Sequence, residues 1–452
     1  MSDFHIKKGH DLKLIGRPEK SFGDPTVSDV LQISPMEFKG IIPKLLIKEG
    51  DKVKIGTPLF RSKLYPDMVF CSPGAGTVSQ IQFGDRRKLQ DIRIQLASSD
   101  DAESLEVYTA DQIKILTEQN IKVHLLKSGL WFGLRQRPFS NVAKPDTRPK
   151  SIFIPALSTA PFAPDPGFVL EQNSAGFQTG LSILKKLTSG PVHLVIGKHT
   201  KLPALTEAKE VTVHRFSGPH PAGNVGIHIH HIDPIKNKDD IVWYIDPQDV
   251  VAIGRLFIHG FRPEYKVITV GGSGVKNRQY LKIRRGALVR DILKTNTLKE
   301  DVRIISGDVL TGVKTNADRG IGYYHNLLTV IPEGRERRFL GWILPGLNRY
   351  SLSGSFMSGI VGTRESVLTT AVNGSQRAII PFGQIESVLP MDLMPTFLLK
   401  SILSRDIEEM EKLGIYECDP EDFSLCSFSD VSKMEISEII NEGLKLVETE
   451  DS

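Results

Sequence analysis

At 452 residues, 40% apolar and 24% charged, the chain is too long for one hydrophobic core and too apolar to stay unfolded, so about three domains of ordinary size are expected. No stretch approaches the roughly 18 apolar residues of a membrane span, and the start MSDFHIKKGH has no apolar signal core, so a cytoplasmic chain with at most indirect membrane contact is expected. The net charge of +4 divides unevenly: residues 404–452 hold fifteen acidic and four basic side chains, a net of −11, which leaves +15 on the rest.

Only three cysteines occur, Cys71, Cys418 and Cys426, and none forms a CxxC pair. That pattern provides neither a disulfide framework nor a cysteine-ligated iron–sulfur cluster, and it suits a reducing compartment. Basic side chains concentrate at Lys276, Arg278, Lys282, Arg284, Arg285 and Arg290, and again at Arg335, Arg337 and Arg338. A solvated face is the plain reading of each cluster, with an acidic protein partner or an anionic membrane surface next. Nucleic acid fits less well, because these runs match no common nucleic-acid-binding module.

Residues 1–100 read as β-rich, with short apolar runs between Gly, Pro and Asp. The segments EGDKVKIGTPLF at 49–60 and SPGAGTV at 72–78 each pair a Gly-bearing turn with a short strand. They resemble a biotinyl/lipoyl-type β barrel. A carrier role would need a modified lysine at a hairpin tip, and Lys63, in SKLYPDMVF, lacks the flanking context, so a barrel used for docking is the better reading.

After SGLWFGLRQRPFSNV at 128–142 and a Pro- and Lys-bearing linker, SIFIPAL at 151–157 and VHLVI at 192–196 have strand length. Between them Phe177, Leu181, Leu184 and Leu187 fall at helical spacing, which predicts one amphipathic helix over 168–188. Strand, helix, strand implies a parallel sheet, expected to continue through VTV at 211–213 and GIHIH at 226–230. From 264, KVITVGG, a short helix at 288–293 and a strand at 302–305 predict a small β-grasp module. The end is expected to be helical. Leu398, Leu399 and Ile402 share one face, and Ile407, Met410 and Leu413 precede a capping Gly414. Ser432 and Glu435 have capping-box spacing before the stripe Ile436, Ile440, Leu444 and Val447.

Five long segments, SGLWFGLRQRPFSNV, FSGPHPAGNVGIHIHHIDP at 216–234, VWYIDPQDVVAIGRLF at 242–257, FLGWILPG at 339–346 and NGSQRAIIPFGQIESVLPMDLMPTFLL at 373–399, together resemble the A-subunit family of the sodium-translocating NADH:quinone reductase. The resemblance implies an α/β multidomain chain. Its parts are a biotinyl/lipoyl-like barrel at 1–100, a Rossmann-like α/β domain at 101–257, a β-grasp (SLBB-like) module at 258–335 and a C-terminal helical domain at 336–452. It also implies a peripheral position on the cytoplasmic face of the cell membrane, in a six-subunit complex. That complex passes electrons from NADH through flavins and iron–sulfur centres on other subunits to ubiquinone and exports sodium.

Related flavin- and NADH-binding subunits carry a loop of the type GxGGAxFP, whose glycines admit the cofactor. At that place in the fold this chain has Gly133-Leu134-Arg135-Gln136-Arg137-Pro138-Phe139, so side chains are expected to fill the space, and no flavin, NADH or iron–sulfur cluster is expected on this chain. After Leu425-Cys426 the family continues with a further cysteine, whereas this chain reads Ser427-Phe428-Ser429. Gly271-Gly272-Ser273-Gly274 follows a strand but has neither GxGxxG nor P-loop spacing, and reads as a turn. His220, His228 and His230 lie within eleven residues, the last two expected on one strand face. No carboxylate or thiol in a recognised spacing completes a zinc site with them, so no metal is expected and they read as a hydrogen-bonded loop–strand element. With Arg135, Arg137, Phe139 and Phe216 they could instead meet a quinone, a donor bonding its carbonyl and a ring packing on its face. The alternative to an accessory subunit without a cofactor is an NADH- or quinone-binding subunit with an atypical flavin loop.

Overall fold

The computed structural model describes residues 2–262, 265–335, 345–346, 350–352, 356–360 and 365–450. Arg337, Arg338 and the 339–344 part of FLGWILPG lie outside the described residues.

The N-terminal barrel is built from two small antiparallel sheets. One orders its strands Val30–Ile33, Leu89–Leu96, Gly76–Phe83 and Lys52–Val53, and the other Pro43–Leu45, Pro58–Ser62 and Val69–Cys71. Leu31, Leu59, Phe60, Ile92 and Ile94 are fully buried between them. Gly56 has φ +94°, and a Cβ there would lie 2.5 Å from the Phe261 ring, so this turn needs glycine to bring the barrel against the next domain.

The α/β domain has a seven-stranded sheet ordered Ser2–His5, Thr212–Ser217, Val192–Gly197, Ser151–Ala156, Val242–Tyr244, Arg135–Arg137 and Asn141–Val142. The first strand pairs in parallel with Thr212–Ser217, so the chain starts in this sheet before it enters the barrel. From Ser151 onward, the parallel strands take the spatial order third, second, first, fourth, and the order reverses between Ser151–Ala156 and Val242–Tyr244. Ile152, Phe153 and Ile154 are all fully buried. A parallel strand covered on both faces reads as an unbroken apolar run, which is why SIFIPAL and VHLVI are recognisable. One face packs with the helices Ser174–Lys185 and Pro247–His259 and with the barrel, the other with the C-terminal helices.

Two sequence expectations for this domain are corrected. The single helix over 168–188 is two, Pro166–Leu170 and Ser174–Lys185, separated by the polar Glu171-Gln172-Asn173. GIHIH is not a strand but part of the Val225–Ile232 helix, whose residues 225–229 are all buried. An element apolar on every side has no readable period, so its two isoleucines mimic strand alternation.

The β-grasp sheet runs Gln279–Arg284, Tyr265–Gly271, Leu327–Pro332, Val302–Ser306 and Val313–Thr315, beside the short helix Val289–Ile292. Gly272 turns at φ +107°, with Val330 O 2.1 Å from where a Cβ would stand. The C-terminal helices Pro395–Ser404, Ile407–Lys412, Ser424–Ser429 and Ile436–Glu450 bury the expected stripes, with Leu398, Leu399, Met410 and Ile440 fully enclosed. Ser432 is not the cap of the last helix, which starts at Ile436. The Ser437 N–H instead donates to Ser427 Oγ at 3.0 Å.

Candidate functional site

Ligands of open α/β sheets bind outside the carboxyl ends of the strands where the strand order reverses. At that point lies a cavity of about 510 Å3 walled by the α/β domain, the β-grasp module and the C-terminal helices. Its volume lies in the range of small-molecule sites.

The first wall is the connection that leaves the Ser151–Ala156 strand, Leu157-Ser158-Thr159-Ala160-Pro161-Phe162-Ala163-Pro164-Asp165. Nucleotide-binding sheets place a glycine-rich turn there, whose N–H groups hold a phosphate. Here Pro155, Pro164 and Pro166 line the cavity and have no N–H to offer. The N–H groups of Gly167 and Phe168 go to the Asp165 carboxylate, which is also paired with Lys20.

The second wall follows Val242–Tyr244. Asp246 caps the Pro247–His259 helix: Oδ1 accepts the Gln248 N–H at 2.8 Å, and Oδ2 accepts Asn326 Nδ2 at 2.6 Å. Burial, and then the neighbouring Asp249, push the Asp246 carboxyl up. The helix terminus that would attract a phosphate therefore already holds a carboxylate.

Asp308 and His325 come from the β-grasp module, and Asp419 and Glu421 from the C-terminal domain. Asp249 is paired with Arg285, and Asp419 lies 3.7 Å from Arg137. Burial and then Lys266 lower His325 to about 4, so it is neutral at pH 7. Burial and then Asp419 raise the Glu421 carboxyl, whose oxygens have no hydrogen bond or ion pair among the described residues. The remaining cation on the wall among the described residues is Arg135. Its guanidinium lies 4.4 Å from the ring centroid of Tyr244 and 4.5 Å from that of Tyr324. Hydrogen bonds pin both rings, Tyr244 Oη to Ser140 Oγ at 3.2 Å and Tyr324 Oη to the Phe132 carbonyl at 2.8 Å. Among the described residues the lining thus holds more acids than cations, with an aromatic clamp around Arg135.

This lining does not fit a flavin phosphate or a dinucleotide. The reading from the sequence is steric, with the side chains of Gly133–Phe139 filling the cofactor's place. Gly133 and Arg135 do line the crevice, but the Arg135–Arg137 stretch is a strand antiparallel to Val242–Tyr244 and not a loop. Arg137 does not occupy the crevice but is fully buried, with Nη1 3.2 Å from Asp422 Oδ2.

Residues 4–97, 116–262 and 267–317 match, in that order, the models of the NqrA N-terminal barrel-sandwich hybrid domain, the NqrA second alpha/beta domain and the NQRA C-terminal domain. The chain is 37% identical over 448 residues to the A-subunit of the Na(+)-translocating NADH-quinone reductase of Yersinia pseudotuberculosis, covering 98% of this chain and 99% of that one. It belongs to the NqrA family. The corresponding chain of Marinomonas sp. is likewise 37% identical, with 99% and 100% covered, and that of Neisseria meningitidis serogroup A is 37% identical, with 98% and 99% covered. An NAD+-reducing [NiFe]-hydrogenase shares 10% identity at a TM-score of 0.35 over 67% of this chain and 55% of that chain, too slight a likeness for any inference.

Of the seven residues singled out in this family member's sequence, only Arg135 lines the cavity. Phe216 is buried, stacked on Phe4 at 4.6 Å and edge-on to His228 at 4.7 Å. His228 is fully buried, with Nε2 2.9 Å from the Ala222 carbonyl, and burial lowers it to about 3. These two and Arg137 have no surface for a quinone to touch. His220 is buried too, its Nδ1 3.1 Å from Thr159 Oγ1. Half-buried Phe139 stands edge-on to Tyr416 at 6.1 Å. His230 Nδ1 donates to Glu417 Oε2 at 2.7 Å, and its Nε2 accepts the Asp392 N–H at 3.0 Å. Because His228 and His230 are two apart on a helix, they point to different sides. Among the described residues no three His, Cys, Asp or Glu side chains gather as a metal would need.

The residues missed in the sequence are Tyr244, Asp246, Asp308, Tyr324, Asp419 and Glu421. One signal was present: in Tyr-Ile-Asp-Pro at 244–247 the aspartate stands before a proline, as at a helix start.

Proposed function

We propose that this chain is the accessory subunit of a Na(+)-translocating NADH:quinone reductase. It sits peripherally at the cytoplasmic face, docked on other subunits of the six-subunit complex, and has no flavin, NADH or iron–sulfur site of its own. NADH oxidation, ubiquinone reduction and sodium export then belong to the assembled complex. The observation that carries this reading is the crevice lining: carboxylates and prolines stand where a phosphate would need N–H groups and positive charge. The peripheral position is supported by the lack, among the described residues, of any helix long and apolar enough to cross a membrane. The packing of three modules around one crevice, with the barrel beside the α/β domain, suits a docking scaffold.

A quinone contact at Arg135 deepens the proposal. A quinone headgroup is uncharged, so the anionic wall does not repel it. The Arg135 guanidinium supplies donors, and Tyr244 and Tyr324 supply ring faces. Photolabelling the intact complex with a reactive ubiquinone, together with a lysine-reactive cross-linker, tests both parts. The expected outcome is quinone label on cavity-wall peptides around 133–137, 244–249 or 324–326, and cross-links from this chain to other subunits. Quinone label only on other subunits would remove the quinone contact, and an absence of cross-links would remove the docking role.

A further inference from the structure

The 373–399 segment is one of those that resemble the family, yet much of its apolar surface is not used inside the chain. The Pro395–Ser404 helix turns Leu398, Leu399 and Ile402 into the core at 0%, 0% and 3% exposure, while Phe397 is 61% and Leu403 52% exposed. Met394 before the helix is 57% exposed, and Ile380 and Phe382 are about half exposed, at 52% and 50%. Beside the helix runs a groove bordered by Arg377, Ile379, Lys400, Leu403 and Met434. Its edges are fixed: the Arg377 N–H donates to the Ser432 carbonyl at 2.8 Å, and Gln376 Nε2 reaches Met434 Sδ at 4.0 Å.

The charge at this groove opposes that of its surroundings. Residues 404–452 carry a net −11, yet Arg377 and Lys400 border the groove, and Lys433 packs beside it against Gly374. None of the three has a carboxylate partner within ion-pair distance among the described residues. The Lys400 ammonium lies 5.9 Å from the Phe397 ring centroid, which joins the cationic edge to the apolar face. An exposed apolar surface of this kind, rimmed with cations that have no ion-pair partner among the described residues, fits an amphipathic protein segment with acidic residues along its edges.

We infer that the outer face of the Pro395–Ser404 helix and the adjoining 376–382 groove hold an acidic amphipathic segment of another subunit of the complex. This rests on the docking role proposed above. The test uses the intact complex with a photoreactive phenylalanine at position 397 and, in a second preparation, at Met36 on the barrel, followed by mass spectrometry of the adducts. The expected result is an adduct from position 397 to one segment of another subunit that mixes apolar residues with Asp or Glu. In parallel, Phe397→Asp with Lys400→Glu should lower the amount of this chain retained in the purified complex at least about tenfold. Both side chains are exposed, so the thermal transition of the isolated variant should match that of the unaltered chain; where it does not, the adduct decides. An adduct only to lipid, only to a second copy of this chain, or to nothing overturns the inference. If the barrel probe still traps another subunit, the docking role stands without this surface; if neither probe does, the docking role falls as well.

Discussion

Arg135 and Arg137 stand two residues apart on one strand and so project to the same side of the sheet, yet they serve two different kinds of region. Around Arg137 the chain is sealed. The guanidinium is fully buried against Asp422 and Asp419, and Asp419 also accepts the Ser140 hydroxyl, so the C-terminal helices are locked to the sheet. Burial acts to raise Asp419, but Arg137 and Ser140 hold it below the usual carboxylate range. Around Arg135 the chain is open. Its guanidinium is held by rings rather than carboxylates, and the acids facing the same cavity include Glu421, with no hydrogen-bond or ion-pair partner among the described residues for its carboxylate. Similar residues therefore make a structural clamp where the arginine is paired with buried carboxylates and a potential ligand site where it is not.

Removing the clamp should have the largest effect. Arg137→Met leaves buried carboxylates without their cation, and about 3–5 kcal/mol of stability should be lost in chemical denaturation, with early proteolysis of the C-terminal helices. A loss no greater than that of Arg135→Ala would erase the distinction. Next comes Lys266, 3% exposed behind the cavity, its Nζ donating to the Tyr323 carbonyl at 2.7 Å. Burial and then Arg285 lower its ammonium to about 8 from 10.5. Between those pH values the folded chain binds fewer protons than the unfolded chain, so this group makes stability rise with pH, by up to about 3 kcal/mol. Denaturation of the unaltered chain and of Lys266→Met from pH 7.5 to 10.5 should differ by that rise; parallel curves would contradict it.

Arg135→Ala should cost less, about 1–2 kcal/mol, because it forfeits ring contacts but leaves no sealed carboxylate unpaired. Smallest is Glu421→Gln. Since burial and Asp419 already disfavour its charge, the amide should be neutral or stabilising by up to about 1 kcal/mol at pH 7. A clear loss in the melting temperature would show that Glu421 has a structural partner and that the open region is not open.

How far the sequence disclosed this molecule depended on whether a feature was local. Strands covered on both faces show as SIFIPAL and VHLVI, and the helical stripe at Leu398, Leu399 and Ile402 is legible because one face stays wet. Elements apolar all round, such as Val225–Ile232, carry no usable period. Ser432 and Glu435 match a capping pattern, but Asp430 accepts the Ser432 and Met434 N–H groups and delays the helix to Ile436. The crevice was invisible for a deeper reason. It follows from the spatial order of strands up to about a hundred residues apart, and its carboxylates are contributed by three modules, so no short motif records it. The arginines stand out in the sequence, but whether each is paired depends on acids near residue 420.

The most direct measurement is calorimetric titration of the purified chain with FMN and with NADH at low ionic strength, where phosphate binding would be strongest. The expected result is no saturable heat and a colourless protein. Saturable binding of either nucleotide that weakens in Arg135→Ala would mean that the acidic, proline-lined crevice is a nucleotide site after all.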